Sequence, residues 1–334
     1  LRLTLITGNA PGNDMRFYWE RVEASRNFPN KVWNASRFIM MNLEGMEITE
    51  PSKDQLKPAD KWIPSRVNTL AKDVTENMDK FELGIAVQKV YDFIWDEFCD
   101  WYIEIAKVRT YKKDENKESA NAALWTLKTV LTQALKLLHP YMPFITEEIF
   151  CTLQSEEESI MISTWPVYKE EYAFAKEEKE IETMKEAIRG IRNVRTSMNV
   201  APSRKASVYV VSENADIRAI FENGKLFFAP LAYASEVLIQ ADKTGIADDA
   251  VSVVIDGATL YIPFAELVDI KQEIERLEKE EKRLGGEIAR ANGMLNNEKF
   301  TSKAPAQKVA EEREKLTKYT QMLEKVQERL AQLK

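Results

Sequence analysis

The C-terminal part of the chain carries an apolar pattern that repeats every 3.5 residues, which is typical of a coiled coil. The segment NNEKFTSKAP interrupts the pattern with two asparagines and a proline, which are poor in a helix interior. If the chain folds back there, facing apolar residues must have numbers with a constant sum. Leu295 with Val309 gives 604, and Leu277 with Val326 gives 603. We therefore predict an antiparallel two-helix coiled-coil hairpin over residues 265–334.

The N-terminal half shows apolar residues at three-four spacing, as in helices that bury one side. The first run is Ile63, Val67, Leu70, Val74, Met78 and Phe81, the second is Leu83, Val87, Val90, Ile94, Phe98, Trp101, Ile105 and Val108, and the third is Leu124, Leu127, Leu131, Leu135 and Leu138. Prolines in LHPYMPF end the third run. The runs predict an antiparallel helical bundle over residues 1–165.

Between these two parts, residues 166–264 have a mixed pattern. A helical segment at about 170–199 precedes the strand-like ASVYVVS. Further on, VSVVIDGATLYIPF contains two short strand-like runs joined by Asp256–Gly257, a dipeptide that suits the tight type I′ hairpin turn. We predict a small α+β junction domain here, and a mainly α fold for the whole chain.

Composition limits the kind of protein this is. The chain has 334 residues, 44% hydrophobic and 30% charged. It has no apolar run long enough for a membrane helix and no signal peptide, so we expect a cytoplasmic protein without a membrane partner. Leu1 stands where an initiator methionine would, which predicts a piece of a longer polypeptide.

The residues that bind metals or form disulfides are few. Cys99 and Cys151 lie in apolar helical segments far apart, so we expect two reduced, buried thiols. His139 has no cysteine or histidine at ligand spacing, which argues against zinc. No phosphate-binding glycine loop or nucleophile motif is present, so the sequence predicts no catalytic residue and no metal site.

Charge is distributed unevenly along the predicted hairpin. The net charge of −7 argues against nucleic acid, but residues 282–318 carry nine basic and five acidic side chains. The parts of the hairpin on either side, 266–281 and 319–334, carry six basic and nine acidic residues. A basic far end is typical of an arm that meets phosphates. The alternative is an ordinary solvated coiled-coil surface.

A second basic segment, IRGIRNVRTSMNVAPSRK, contains no acid. Arg189, Arg192 and Arg195 recur at three-residue spacing and are expected along one side of a helix, where they could collect phosphate oxygens. The alternative is that they pair with acids from elsewhere in the fold.

The stretch NKVWNASRFIMMNL combines a helical apolar stripe with polar residues. Asn34 precedes Phe38 by one helical turn, and Arg37 adjoins it. These side chains are of the types that bind an unpaired nucleotide. An aromatic ring or a guanidinium plane stacks on a base, and an amide forms hydrogen bonds with the edge of the base. The same residues could instead serve as core and cap.

Several of these segments resemble class I aminoacyl-tRNA synthetases with branched-aliphatic specificity. The shared segments are TGNAPGNDMRF, RNFPNKVWNASRFIMMN and LHPYMPFITEEIF. The combination of IRNVRTSMNVAPSRK with NEKFTSKAPAQKVAEEREKL is similar to the valyl-tRNA synthetase family in particular. The resemblance covers essentially the whole chain.

The resemblance implies a bundle that binds the anticodon and an arm that braces the outer corner of a valine-specific tRNA. It implies no DNA partner and a monomer. The parent enzyme would join valine to tRNA using ATP and Mg²⁺ and would hydrolyse mischarged threonine. The class I signatures His-x-Gly-His and Lys-Met-Ser-Lys-Ser are not in this chain, so we expect it to need no cofactor and to be inactive alone.

The resemblance also implies roles for individual residues. Near the anticodon it places Arg16 and the pair Arg37–Phe38, with Asn34 as a neighbour. Glu20 stands where some relatives have a base, which is a departure from the pattern. The arm residues are Arg290 and Arg313 at one level of the hairpin, with Lys299, Lys303 and Lys308 around its tip. The rival hypothesis is a non-catalytic scaffold whose coiled coil recruits a protein partner.

Overall fold

A computed structural model describes residues 1–7, 16–267, 270–297 and 306–333. It is mainly helical, with one small sheet between a helical bundle and a pair of long C-terminal helices. The predicted fold class is confirmed. Among the described residues, no helix combines the length and the apolarity that crossing a membrane requires.

Seven helices and one π-helical segment form the bundle in the described part of residues 1–153. They are α1 (Arg2–Ile6), α2 (Trp19–Leu43), α3 (Pro58–Asp79), α4 (Leu83–Asp92), the π-helical segment (Phe93–Ile103), α5 (Glu104–Thr110), α6 (Lys117–Leu138) and α7 (Pro143–Leu153). Their shared core contains Trp62, Phe28, Phe98 and Phe150, all almost completely buried. This core fixes the surface of α2, where the candidate site lies.

The predicted stripes of α3 and α6 are buried with one local exception. In α3 the residues Ile63, Val67 and Val74 lie in the core. Phe81, by contrast, is 85% exposed and has φ of +60°, so its place in the inward stripe was wrong. The helix has already ended at Asp79, and the chain reverses there toward α4, whose first residue Leu83 is also exposed. A helical period cannot anticipate such a reversal.

The second predicted stripe contains a change of helix type. Between α4 and α5, residues Phe93–Ile103 form a π-helix, in which each hydrogen bond spans one more residue than in an α-helix. The wider turn lets seven of these eleven residues be buried, including Trp101 and Tyr102. A strict 3.6-residue period does not predict this geometry.

The junction region begins with α8 (Ala175–Ser197) and contains four strands and one more helix. These are β1 (Ala206–Val211), α9 (Ala215–Ala232), β2 (Ala234–Gln240), β3 (Val251–Ile255) and β4 (Ala258–Ile262). The strand order is β2-β1-β4-β3. β1 and β2 are parallel because α9 connects them, and the other pairs are antiparallel. Asp256–Gly257 forms the predicted two-residue turn between β3 and β4. Gly257 has φ of +76° but Asp256 has no positive φ, so the predicted type I′ geometry was wrong.

The two long C-terminal helices follow the short α10 (Phe264–Leu267). They are α11 (Ile270–Leu295) and α12 (Ala306–Leu333), and they pack against each other. Gln327 Nε2 donates to Glu281 Oε1 at 2.9 Å, which joins the middle of α11 to the last two turns of α12. That pairing requires antiparallel helices. Leu277, Leu284 and Leu330 of the predicted seam are buried.

The two cysteines differ in their surroundings. Cys99 is buried as predicted, but Cys151 is exposed, so the prediction of two buried thiols was wrong for Cys151. It lies on the outer side of α7, whose inner side buries Ile149, Phe150 and Leu153. A helix of eleven residues at the edge of a bundle buries only one side.

Candidate nucleic-acid interface

The outer surface of α2 presents polar side chains between its buried residues. Val32 and Ile39 are fully buried, whereas Asn34 and Arg37 are exposed. Neither the Asn34 amide nor the Arg37 guanidinium makes a hydrogen bond or ion pair with the part of the chain that the structure describes. Both groups are therefore available to a ligand at this surface.

Phe38 belongs partly to the core and partly to the surface. It is half-buried and packs against the hydrophobic core. The ammonium of Lys107 lies 5.5 Å from its ring centroid, and the ring of Tyr111 lies 6.3 Å away at an interplanar angle of 86°. The structure thus brings the end of α5 to the C-terminal part of α2 and forms an aromatic and cationic cluster, Phe38–Lys107–Tyr111.

A buried ion pair holds the end of α5 in this place. Arg109 Nη1 donates to Asp60 Oδ2 at 2.7 Å, its Nη2 donates to Asp60 Oδ1, and Tyr102 Oη donates to Asp60 Oδ1 at 2.8 Å. Burial alone would lower the pKa of Arg109, but the Asp60 carboxylate outweighs this effect and the pKa is raised. Asp60 also closes the first turn of α3, since its Oδ2 accepts from the Lys57 backbone N–H at 3.0 Å.

Arg16 is exposed but is not in contact with the α2 residues predicted to share its role. It precedes α2, whereas Arg37 lies five turns into that helix, about 27 Å along the axis from Trp19. Beside Arg16, the exposed rings of Phe17 and Trp19 lie 5.6 Å apart. A role for Arg16 near the anticodon stays a prediction.

The three arginines of α8 do not share one exposed surface. Arg195 is 4% exposed, and its Nη2 donates to the carbonyl oxygens of Ala201 and Arg204 at 3.0 and 2.5 Å. This burial argues against the predicted phosphate contact of Arg195, because the guanidinium lies inside the junction region and its Nη2 already bonds two backbone carbonyls. Its partners are backbone carbonyls rather than the acids considered as the alternative.

Arg189 and Arg192 are partly committed to the fold. Arg192 Nε donates to the Leu231 carbonyl at 2.6 Å. Arg189 Nη1 donates to Glu182 Oε1 at 2.7 Å and remains half exposed. Both guanidinium groups lie about 5.5 Å from the ring of Trp101, so they join α8 to the bundle. Phosphate contacts by these two residues stay a prediction.

The basic residues of the hairpin that the structure describes are exposed. Arg290, Lys308 and Arg313 all face solvent. Arg290 has a weak contact with Glu287, 4.0 Å between Nη1 and Oε2. Lys299 and Lys303, predicted to surround the tip, lie outside the described residues.

Within the described ranges, no group of three or more histidine, cysteine or acidic side chains could hold a metal ion. His139 instead places its Nδ1 2.7 Å from Thr146 Oγ1 between α6 and α7.

Two known protein families match this chain, one over much of the bundle and junction region and one over the hairpin. Residues 60–210 match a family described as the anticodon-binding domain of tRNA ligase, and residues 269–334 match the valyl tRNA synthetase tRNA binding arm. Both matched regions are tRNA-binding parts of tRNA ligases, and the model that matches the hairpin is one of valyl-tRNA synthetases. The first match extends from the start of α3 into β1, past the predicted bundle boundary at residue 165, and it excludes the candidate residues of α2.

Relatives of this family match the chain over its whole length. Valine–tRNA ligase of Clostridium perfringens is 52% identical over 335 residues, and that of Clostridium acetobutylicum is 51% identical over 336. The Bacillus subtilis valine–tRNA ligase is 39% identical over 335 residues. In each case the match covers 100% of this chain and 38% of the relative. The chain thus aligns with the C-terminal part of these longer ligases and spans less than two fifths of their length.

Lys107 and Tyr111 belong to the candidate site but were not among the residues predicted from the sequence. The signal was present in RTYKK, residues 109–113, where an aromatic residue stands among cations. That pattern is typical of single-stranded nucleic-acid binding. It was not recognised because Phe38 and Tyr111 are far apart in sequence and only the fold joins them.

Proposed function

We propose that this chain is the tRNA-binding part of a valyl-tRNA synthetase. The α2 surface with Arg37 and Phe38 binds the anticodon, and the hairpin of α11 and α12 braces the outer corner of the same tRNA. The observation that carries the proposal is the pair of family matches, one to an anticodon-binding domain and one to a tRNA-binding arm. The exposed cations at both places support it physically, because phosphate contacts dominate nucleic-acid affinity.

The remaining steps of the reaction belong to the parent enzyme in this proposal. The parent joins valine to its tRNA with ATP and Mg²⁺ and acts as a cytoplasmic monomer. The present chain selects and orients valine-specific tRNA but transfers no aminoacyl group. Support for this division is that the class I signatures for ATP are not in the sequence.

Binding of tRNA by the chain is the direct test. We expect a gel shift with valine-specific tRNA that weakens steeply as salt rises, and weaker shifts with isoleucine- and leucine-specific tRNAs. No shift with any tRNA at low salt, together with recovery of a protein partner through the hairpin, would support the scaffold hypothesis instead.

Charge reversal at the far end of the hairpin tests the role of the arm, and charge reversal near its base is the control. We expect Arg290→Glu with Arg313→Glu to weaken tRNA binding and to make the slope of log affinity against log salt smaller by about two, one for each lost phosphate contact. The matched control is Lys279→Glu with Lys325→Glu near the base of the hairpin, which changes net charge equally. Both control lysines are exposed. Equal effects of the two pairs would reject a specific role for the far end of the arm.

A further inference from the structure

Tyr111 is an exposed aromatic side chain at the centre of the candidate site. It follows the last residue of α5 and is 71% exposed. Its ring and that of Phe38 are nearly perpendicular, 6.3 Å apart. A perpendicular pair covers at most one side of each ring, so a face of Tyr111 remains open to solvent.

Phe38 is less well suited to bind a base. It is half-buried against the core, and the Lys107 ammonium lies over its ring at 5.5 Å. Its backbone carbonyl also accepts from Asn42 Nδ2 at 2.7 Å, within the same helix. Phe38 is therefore enclosed by its own fold, while Tyr111 is not.

The position of Tyr111 is fixed by the structure beneath it. The Tyr111 backbone N–H donates to the Lys107 carbonyl at 3.0 Å and so continues the last turn of α5. Two residues earlier, Arg109 is held by the buried Asp60 carboxylate. An exposed aromatic ring on a rigid support loses little entropy when a ligand stacks on it.

The surroundings of Tyr111 suit a nucleotide. Arg37 is exposed beside Phe38. Lys113, two residues after Tyr111 in the chain, lines an open cleft of about 620 Å³. The lining of this cleft is mixed: it also includes the amide of Gln55, a second lysine, and three acids, which are Glu47, Asp114 and Glu118. Amide and carboxylate groups read base edges, and cations meet the phosphates that flank a base.

We propose that Tyr111 is the residue on which an unpaired base of the tRNA stacks, and that Phe38 supports Tyr111 from the core side. This inference rests on the proposed tRNA binding and assigns the stacking contact within it. The roles predicted for Arg37 and Phe38 place the nucleotide on α2. The present proposal places the stacked base on Tyr111, at the end of α5.

The test uses the whole chain and valine-specific tRNAs that carry 2-aminopurine at single unpaired positions of the anticodon loop. Stacking on an aromatic ring quenches this fluorophore. We expect binding to quench one position, and Tyr111→Ala to remove that quenching and weaken binding by roughly 5–150-fold, the range for one lost stacking contact. Tyr111→Phe keeps the ring and should behave like the wild type.

A matched control is Phe144→Ala. Phe144 is 90% exposed and lies in α7, beyond the far end of α6 from Tyr111. This variant should bind and quench like the wild type.

The outcomes separate the two proposals. Quenching that survives Tyr111→Ala, or is lost equally in Tyr111→Phe, overturns the stacking role of Tyr111 and leaves tRNA binding in place. Failure of the wild-type chain to bind any tRNA overturns the proposed function, and the stacking role with it.

Discussion

At the scale of single residues, the buried pair Asp60–Arg109 connects stability with the candidate site. Asp60 is fully buried, lies in the first turn of α3 and accepts hydrogen bonds from Arg109 and Tyr102. Arg109 Nε is buried and has no hydrogen-bond partner among the described residues. The carboxylate is thus the partner that allows this guanidinium to be buried, and it holds the end of α5 against the bundle.

Replacing Asp60 by Asn is therefore expected to destabilise the bundle strongly. The amide keeps the shape but leaves the Arg109 charge buried without a counter-charge, which costs about 3–5 kcal/mol. Urea unfolding followed by circular dichroism measures the loss. Glu115→Gln is the control, because Glu115 pairs with Lys112 at 3.3 Å on the surface and should change stability little. Similar effects of both substitutions would contradict the assigned role of Asp60.

The two thiols are expected to react differently with iodoacetamide. Burial raises the pKa of Cys99 to about 12, so almost no thiolate forms at neutral pH. Partial desolvation and the Glu147 carboxylate also raise the pKa of Cys151, but that residue is exposed. We expect one label per folded chain, at a rate that rises with pH because the thiolate is the reacting form. Mass spectrometry should find two labels after unfolding and none on folded Cys151→Ser.

At the scale of elements, α8 packs closely on the edge strand β3. A Cβ at Gly190 would collide with the Val253 side chain, so the helix and the strand approach each other at this residue. Trp101 of the π-helical segment contacts the same helix through Arg189 and Arg192. The helix α8 therefore joins the bundle to the sheet.

The same glycine substitution should have opposite effects in α8 and α11. Gly190→Ala overpacks the α8–β3 contact, which costs about 1–3 kcal/mol and exceeds the gain in helix propensity. Gly286→Ala places its Cβ in open space and should stabilise α11 by up to about 1 kcal/mol. Thermal unfolding of both variants tests this. Stabilisation by Gly190→Ala would show that the contact yields without strain.

At the scale of the whole molecule, the proposed function has two separate surfaces binding one tRNA. Substitutions at distant, independent sites combine additively in free energy. We therefore expect the loss of affinity caused by Arg37→Ala and the loss caused by Arg290→Glu with Arg313→Glu to multiply, to within about a factor of two, in the combined variant. Filter binding at fixed salt measures all three proteins. If the combined variant binds tRNA no more weakly than the weaker-binding of the two separate variants, the two surfaces do not act on the same tRNA together.

The sequence by itself determined the stripes of α3 and α6, strand β1, the β3–β4 hairpin and the pairing of α11 with α12, but it did not predict helix α9 or strand β2. Helical and strand periods arise from local backbone hydrogen bonding, so apolar spacing reveals them without knowledge of the fold. The antiparallel direction of the long helices also follows from residue numbers alone. The π-helical segment and the exposure of Phe81 were not predicted, because neither follows from a regular period.

Only the tertiary structure decided which basic and aromatic side chains are available to a ligand. In the sequence Arg195 and Arg37 are both arginines on amphipathic helices, yet Arg195 is enclosed by backbone carbonyls and Arg37 is exposed. Likewise, Tyr111 meets Phe38 because the fold packs the end of α5 beside α2, where the Asp60–Arg109 pair helps to hold it. The physical reason is that a side chain's exposure depends on groups distant in sequence, which no local pattern records.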